Sequence, residues 1–281
     1  MSDQPPISRR EFTAASLGAG GSAAAHEATV TEVEIRTPSG VCDASLAQPS
    51  GDGQWPGAIL FVDAGGLRPS MRDMTKRLAK NGYTVLVPNP YYRSTKAPGC
   101  PTGFSFSNPQ HREKVAALRA LLTTEAVSAD ATAYVAFLDT QRSVKKSAKL
   151  GVLGYCMGGS MTLRAAAALP NRVGAGASFH GGGLVTDKPD SPHLIVPQIK
   201  ASYYFGIAAN DDASEPEAKT QLRRAFDAAG LQAKIEVYAG CLHGWCVKDM
   251  PTSPDGKPIY NEAQAERAWN ELIALYKQTL V

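Results

Sequence analysis

The chain has 281 residues, 43% of them apolar and 20% charged, which allows a substantial hydrophobic core and excludes wholesale disorder. Its 29 basic and 26 acidic residues leave a net charge of +3 without any like-charge run longer than a pair such as Lys145-Lys146, so the basic stripe of a nucleic-acid binder is missing. No stretch approaches the ~20 apolar residues of a membrane span, and five cysteines leave at least one thiol unpaired if the others form disulfides.

Residues 1–25 read as a leader. Arg9-Arg10, a weakly hydrophobic Gly/Ala/Ser stretch and Ala23-Ala24-Ala25 match the pattern of a twin-arginine export signal, which predicts a periplasmic or otherwise exported protein. The alternative is a leader without an address on a cytoplasmic protein. Removing it subtracts Asp3, Arg9, Arg10 and Glu11, so the charge balance is unchanged.

Residues 26–281 read as one α/β domain. Apolar, β-branched runs predict strands at Val30–Ile35, Ala58–Val62, Thr84–Val87, Leu150–Leu153, Ala175–Phe179, Ser202–Ile207 and Lys234–Tyr238. Helical spacing predicts Met71–Lys80, Pro109–Leu122, Ser128–Gln141, Met157–Ala168, Glu215–Ala229 and Ala263–Thr279. Strand and helix alternating in this way imply a mostly parallel central sheet with helices on both faces. Two irregular stretches, Tyr91–Asn108 and Lys248–Pro258, have the composition of loops that rim a site.

The segment Gly154-Tyr155-Cys156-Met157-Gly158-Gly159 follows a buried strand and opens a helix. This is the glycine-x-nucleophile-x-glycine elbow of α/β-hydrolases with cysteine as nucleophile. Small residues two before and two after permit the sharp turn. The helix N-terminus beneath the sulfur favours a thiolate, and the Met157 N–H points where an oxyanion would form. A structural cysteine beside a glycine turn is the competing reading.

A cysteine nucleophile needs a base, and the base needs an orienting acid. His243 follows the strand at Lys234–Tyr238, and Asp211 and Asp212 follow the strand at Ser202–Ile207, in the chain order nucleophile, acid, histidine. Asp211 is preferred as the acid, with Asp212 as competitor or helix cap. His180, before Gly181-Gly182-Gly183, reads as a tight turn near the site that could contact substrate. His26, His111 and His193 carry weaker signals. Cys241-x-His243-x-x-Cys246 with Asp249 has zinc-ligand types but lacks the second cysteine pair of a structural zinc site, so neither metal nor cofactor is expected.

These residues resemble the dienelactone hydrolase family, over about residues 30–280. The resemblance rests on the cysteine elbow, the Asn210-Asp211 loop, Gly240-x-x-His243-Gly244 and Gly82-Tyr83 before a strand. It implies an α/β-hydrolase without a large cap domain that opens small esters or lactones through a Cys-His-Asp triad and a thioester. It also implies a carboxylate that contacts the resting thiol, followed by a backbone N–H completing the oxyanion hole. The matching positions are Asp63 and Ala64, with aspartate where the family has glutamate. Asp63 therefore either reaches Cys156, directly or through water, or only braces the Gly65-Gly66 turn.

Family members that take dicarboxylate-derived lactones use arginines, one of them four residues past the histidine. That position here is Val247. Arg68, Arg93 and Arg164 could substitute, and Tyr92 and Trp245 are candidate pocket walls. The expected partner is a small-molecule ester or lactone, with no protein, nucleic acid or membrane indicated. Other electrophiles such as phosphotriesters, or non-catalytic ligand binding, are the alternatives. With Cys156 as the free thiol, Cys241–Cys246 and Cys42–Cys100 could pair, or all four could stay reduced.

Overall fold

A computed structural model describes residues 26–100 and 108–280; the leader expected at 1–25 lies outside the described residues. In chain order the elements are β1 (Ala28–Thr37), β2 (Gly40–Pro49), β3 (Gly57–Phe61), α1 (Pro69–Lys80), β4 (Thr84–Pro88), α2 (Pro109–Ala120) and α3 (Thr124–Thr140). They continue as β5 (Leu150–Tyr155), α4 (Met157–Ala168), β6 (Val173–Phe179), a 3-10 turn (Pro192–Gln198), β7 (Ser202–Ala208), α5 (Ala209–Ser214), α6 (Ala218–Ala228), β8 (Ala233–Tyr238) and α7 (Glu262–Thr279).

One eight-stranded sheet runs in the order β1-β2-β4-β3-β5-β6-β7-β8. The six strands from β4 to β8 are parallel, while β2 pairs antiparallel with both β1 and β4. Strands β3, β4 and β5 are buried along their whole length, which is why their sequences lack polar alternation. One face packs Leu78 of α1 and Trp269, Leu272 and Tyr276 of α7. The other packs Tyr134 and Leu138 of α3, Leu163 of α4 and Phe226 of α6. Helices α1 and α7 on one side and α3, α4 and α6 on the other thus shield both sheet faces from water.

Three elements differ from the sequence expectation. Strand β2 escaped notice because its apolar residues are small and its polar ones are buried with partners. Ser45 is fully buried and hydrogen-bonded to Glu32 of β1 and Arg72 of α1. Helix α3 begins four residues early because the Thr123 hydroxyl caps it, accepting from Ala126 N at 3.2 Å. The helix expected at Glu215–Ala229 begins at Ala218, after Pro216, and a separate short helix, α5, carries Asp211 directly at the end of β7.

Candidate active site

The parallel strands all end at one edge of the sheet, where α/β folds place their ligands. There Asp63 follows β3, Tyr91 follows β4, Cys156 follows β5, His180 follows β6, Asp211 follows β7 and His243 follows β8.

Cys156 stands on the turn from β5 into α4 with φ 54° and ψ −119°. A non-glycine residue there costs about 1–3 kcal/mol and persists only where its surroundings enforce it. Here its N–H donates to Phe179 O at 3.1 Å, and its carbonyl accepts from Gly159 N at 3.0 Å and Gly182 N at 3.2 Å. The flanking glycines are required by contact. A Cβ on Gly154 would lie 2.1 Å from Gly158 O, and one on Gly158 would lie 2.2 Å from Phe61 O.

Beside the sulfur, Met157 opens α4, so its N–H is one of the first-turn donors with no acceptor inside the helix. Across from it, the Ala64 carbonyl is tethered by the Tyr91 hydroxyl at 3.0 Å and the Cys100 thiol at 3.1 Å. Among the described residues, no backbone acceptor engages the N–H of either Ala64 or Met157.

His243 is held at both its backbone and its ring. Its backbone N–H donates to Asn210 Oδ1 at 2.8 Å, and Nδ1–H donates to Asp211 Oδ2 at 2.8 Å. The adjacent carboxylate does something else: Asp212 accepts from Lys219 Nζ at 2.6 Å. Burial alone would lower the imidazole pKa, but the hydrogen bond to Asp211 and the neighbouring Cys156 sulfur outweigh it, raising it to about 10.

Residues 42–280 match the family model described as the dienelactone hydrolase family. The chain belongs to that family. Two curated relatives share the name "Putative carboxymethylenebutenolidase". The one from Synechocystis sp. is 31% identical over 84% of this chain and 91% of its own. The one from Methylorubrum extorquens is 28% identical over 99% of this chain and 95% of its own. Among solved structures, a dienelactone hydrolase-like promiscuous phosphotriesterase from metagenomic libraries superposes with TM-score 0.73 at 19% identity, over 91% of this chain and all of its own. The chain is thus a hydrolase with the α/β-hydrolase fold of this family.

Within the dienelactone hydrolase frame, the carboxylate after β3 is committed elsewhere. Asp63 is bidentate to Arg68 at 2.6 and 2.9 Å, and its Oδ1 accepts from Gly65 N at 2.8 Å. It braces the Gly65-Gly66 turn, and its charge is balanced by Arg68. Arg68 in turn grips Asp249 at 2.8 and 2.9 Å, tying the loop before α1 to the loop that carries His243. Burial lowers the Arg68 pKa, and the two carboxylates more than reverse that, so it stays charged.

Two proposed pocket walls fall elsewhere. Tyr92 turns away, hydrogen-bonding Thr37 and Asp130 at 2.7 Å each. Its neighbour Tyr91 is the one that reaches the site, packing with Ala64, Cys100 and Met157. The Asn89-Pro90 turn explains the parity, since Asn89 Oδ1 accepts from Tyr91 N at 3.0 Å and aims that ring inward. Trp245 is fully buried, stacked on Tyr238 behind the site. His180 is also fully buried, with its ring centroid 4.7 Å from that of His243, so it packs against that imidazole instead of lining open space.

All five cysteines carry free thiols. Burial pushes the Cys100, Cys241 and Cys246 thiols up, which keeps them neutral and inert. Among the described residues no group of three His, Cys, Asp or Glu side chains is placed to hold a metal ion. Of the proposed ligands, His243 points its Nδ1 at Asp211 and Asp249 is taken by Arg68.

Proposed function

We propose that this hydrolase cleaves small, uncharged carboxylic esters or lactones through Cys156, His243 and Asp211. The observation that carries the reading is the hydrogen bond of His243 Nδ1 to Asp211 Oδ2 at 2.8 Å beside the strained elbow that carries Cys156. The thiolate attacks the carbonyl carbon. The oxyanion that develops lies between the N–H groups of Met157 and Ala64, where each such donor is typically worth ~100- to 1,000-fold in rate. His243 gives its proton to the departing alkoxide, which leaves as an alcohol or, for a lactone, as the hydroxyl end of the opened ring. The thioester remains on Cys156. His243, now neutral, takes a proton from water as that water attacks the thioester; the acid departs and the thiolate–imidazolium pair is restored.

The preference for uncharged substrates rests on the arginines. Val247 stands where the family's anion-binding members have one. Arg68 is neutralised by Asp63 and Asp249, and Arg93 by Asp130, bidentate at 2.8 Å. Arg164 is turned to Thr124 and Ser160 with Asp190 at 3.9 Å. A panel of aryl acetates, a simple lactone, an anionic dienelactone and a diaryl-alkyl phosphotriester tests this. Faster turnover of the neutral carbonyl compounds is expected. A kcat/KM highest for the anionic dienelactone, or for the phosphotriester, would overturn the substrate assignment. The phosphotriester is included because of the promiscuous relative. The leader at 1–25 supports export as the setting for this activity.

A further inference from the structure

His180 has an environment that turn formation does not explain. It sits at the end of β6 with φ 41°, a conformation that disfavours most side chains and that histidine, asparagine and aspartate enter more readily than others. Its N–H donates to Gly206 O at 2.8 Å, which fixes the backbone on β7. The ring is completely buried and boxed by three others. His243 stands edge-to-face at 4.7 Å and 66°, Trp245 at 5.4 Å and 70°, and Tyr155 tilted at 5.8 Å. Neither ring nitrogen has a hydrogen-bond partner among the described residues. Its contacts among the described residues are thus with other rings.

We propose that His180 is a positioning residue: its uncharged ring forms the wall that keeps the His243 imidazole turned with Nδ1 on Asp211 and its far side on Cys156. Without that wall the His243 ring is restrained by its Asp211 hydrogen bond alone and can tilt about it, and misplacing a reacting group by about 1 Å costs roughly 100-fold in rate. The titratable groups facing the pair are Asp211 from α5, Cys156 from the elbow and Tyr155 from the end of β5. Burial first, and the positive charge of His243 second, hold His180 neutral by lowering its pKa well below the usual imidazole value. A second positive charge at this distance would compete with His243 for Asp211 and for the sulfur, so neutrality belongs to the role.

The inference rests on His243 serving Cys156, and the experiment separates the two ideas. His180→Asn keeps a residue tolerant of the backbone conformation but removes the ring, and His180→Phe restores an uncharged ring. Wild type, both variants and His243→Gln are compared for melting temperature, for kcat and KM on p-nitrophenyl acetate, and for the rate of Cys156 alkylation by iodoacetamide at pH 7. The expected result is a folded His180→Asn protein with kcat down ~10- to 100-fold at little-changed KM and slowed alkylation. His180→Phe should recover kcat to within a few-fold of wild type per folded molecule. Wild-type kcat and alkylation in folded His180→Asn would overturn the inference, as would a folded His180→Phe no better than His180→Asn. Alkylation and turnover unchanged in His243→Gln would instead overturn the base assignment on which it stands.

Discussion

His243 Nδ1 lies 2.8 Å from Asp211 Oδ2, while the next carboxylate in the chain, Asp212, is drawn off by Lys219. The two aspartates are therefore separable by mutation. Asp211→Asn leaves the shape but removes the anion that holds the imidazolium, and kcat should fall ~10³- to 10⁴-fold by the logic of catalytic triads. Asp212→Asn breaks only a part-exposed pair with Lys219 and should leave kcat within about two-fold, with under ~1 kcal/mol lost in stability. Steady-state kinetics on purified variants checks both.

The raised pKa of His243 has a definite sign in stability. Its folded value of about 10 lies above the ordinary 6.5 of the unfolded chain. Its contribution is fully present below pH 6.5 and is lost as the pH rises toward about 10. Denaturation midpoints should fall across that window in wild type and be flatter in His243→Gln. Over the same range kcat/KM should hold near neutrality and drop as the imidazolium loses its proton.

The elbow tolerates no side chain at position 158. A Cβ on residue 158 would overlap the Phe61 carbonyl, which belongs to the sheet and cannot swing away. Gly158→Ala should cost at least ~1–3 kcal/mol from overpacking and displace the elbow, seen as a lowered melting temperature together with a loss of kcat.

Arg68 is the strut between the Ala64 loop and the His243 loop. Its removal leaves Asp63, only 6% exposed, as a buried charge without a partner, a change worth about 3–5 kcal/mol. Arg68→Ala should therefore destabilise strongly and lower kcat by loosening Ala64. Arg68→Lys should recover only part of both, because a single ammonium cannot make two bidentate pairs. Chemical denaturation and kinetics on the same preparations test the point.

What the sequence disclosed and what it hid divide along the range of the interactions. The Gly154-x-Cys156-x-Gly158 turn is dictated within five residues, and the buried runs of β3, β4 and β5 announce themselves by lacking polar alternation. The hidden parts depend on partners far along the chain. Which of Asp211 and Asp212 faces His243 is settled by Lys219 on α6. Asp63 is claimed by Arg68, whose other carboxylate is 181 residues further on. Tyr91 and Tyr92 are adjacent and chemically identical, and distant partners separate them: Ala64 takes the Tyr91 hydroxyl, while Thr37 and Asp130 hold that of Tyr92. In sequence His180 belongs to a glycine-rich turn, and only the pairing of distant strands sets it against His243.

The central claim is a covalent acyl-thioester on Cys156. The direct measurement is mass spectrometry of enzyme quenched in acid during turnover of p-nitrophenyl acetate, with the modified peptide sequenced. The account predicts an acetyl adduct on the peptide containing Cys156, together with Cys156→Ala protein that is folded, unlabelled and without esterase activity. Wild-type turnover by Cys156→Ala, or an adduct located on another residue, would contradict it.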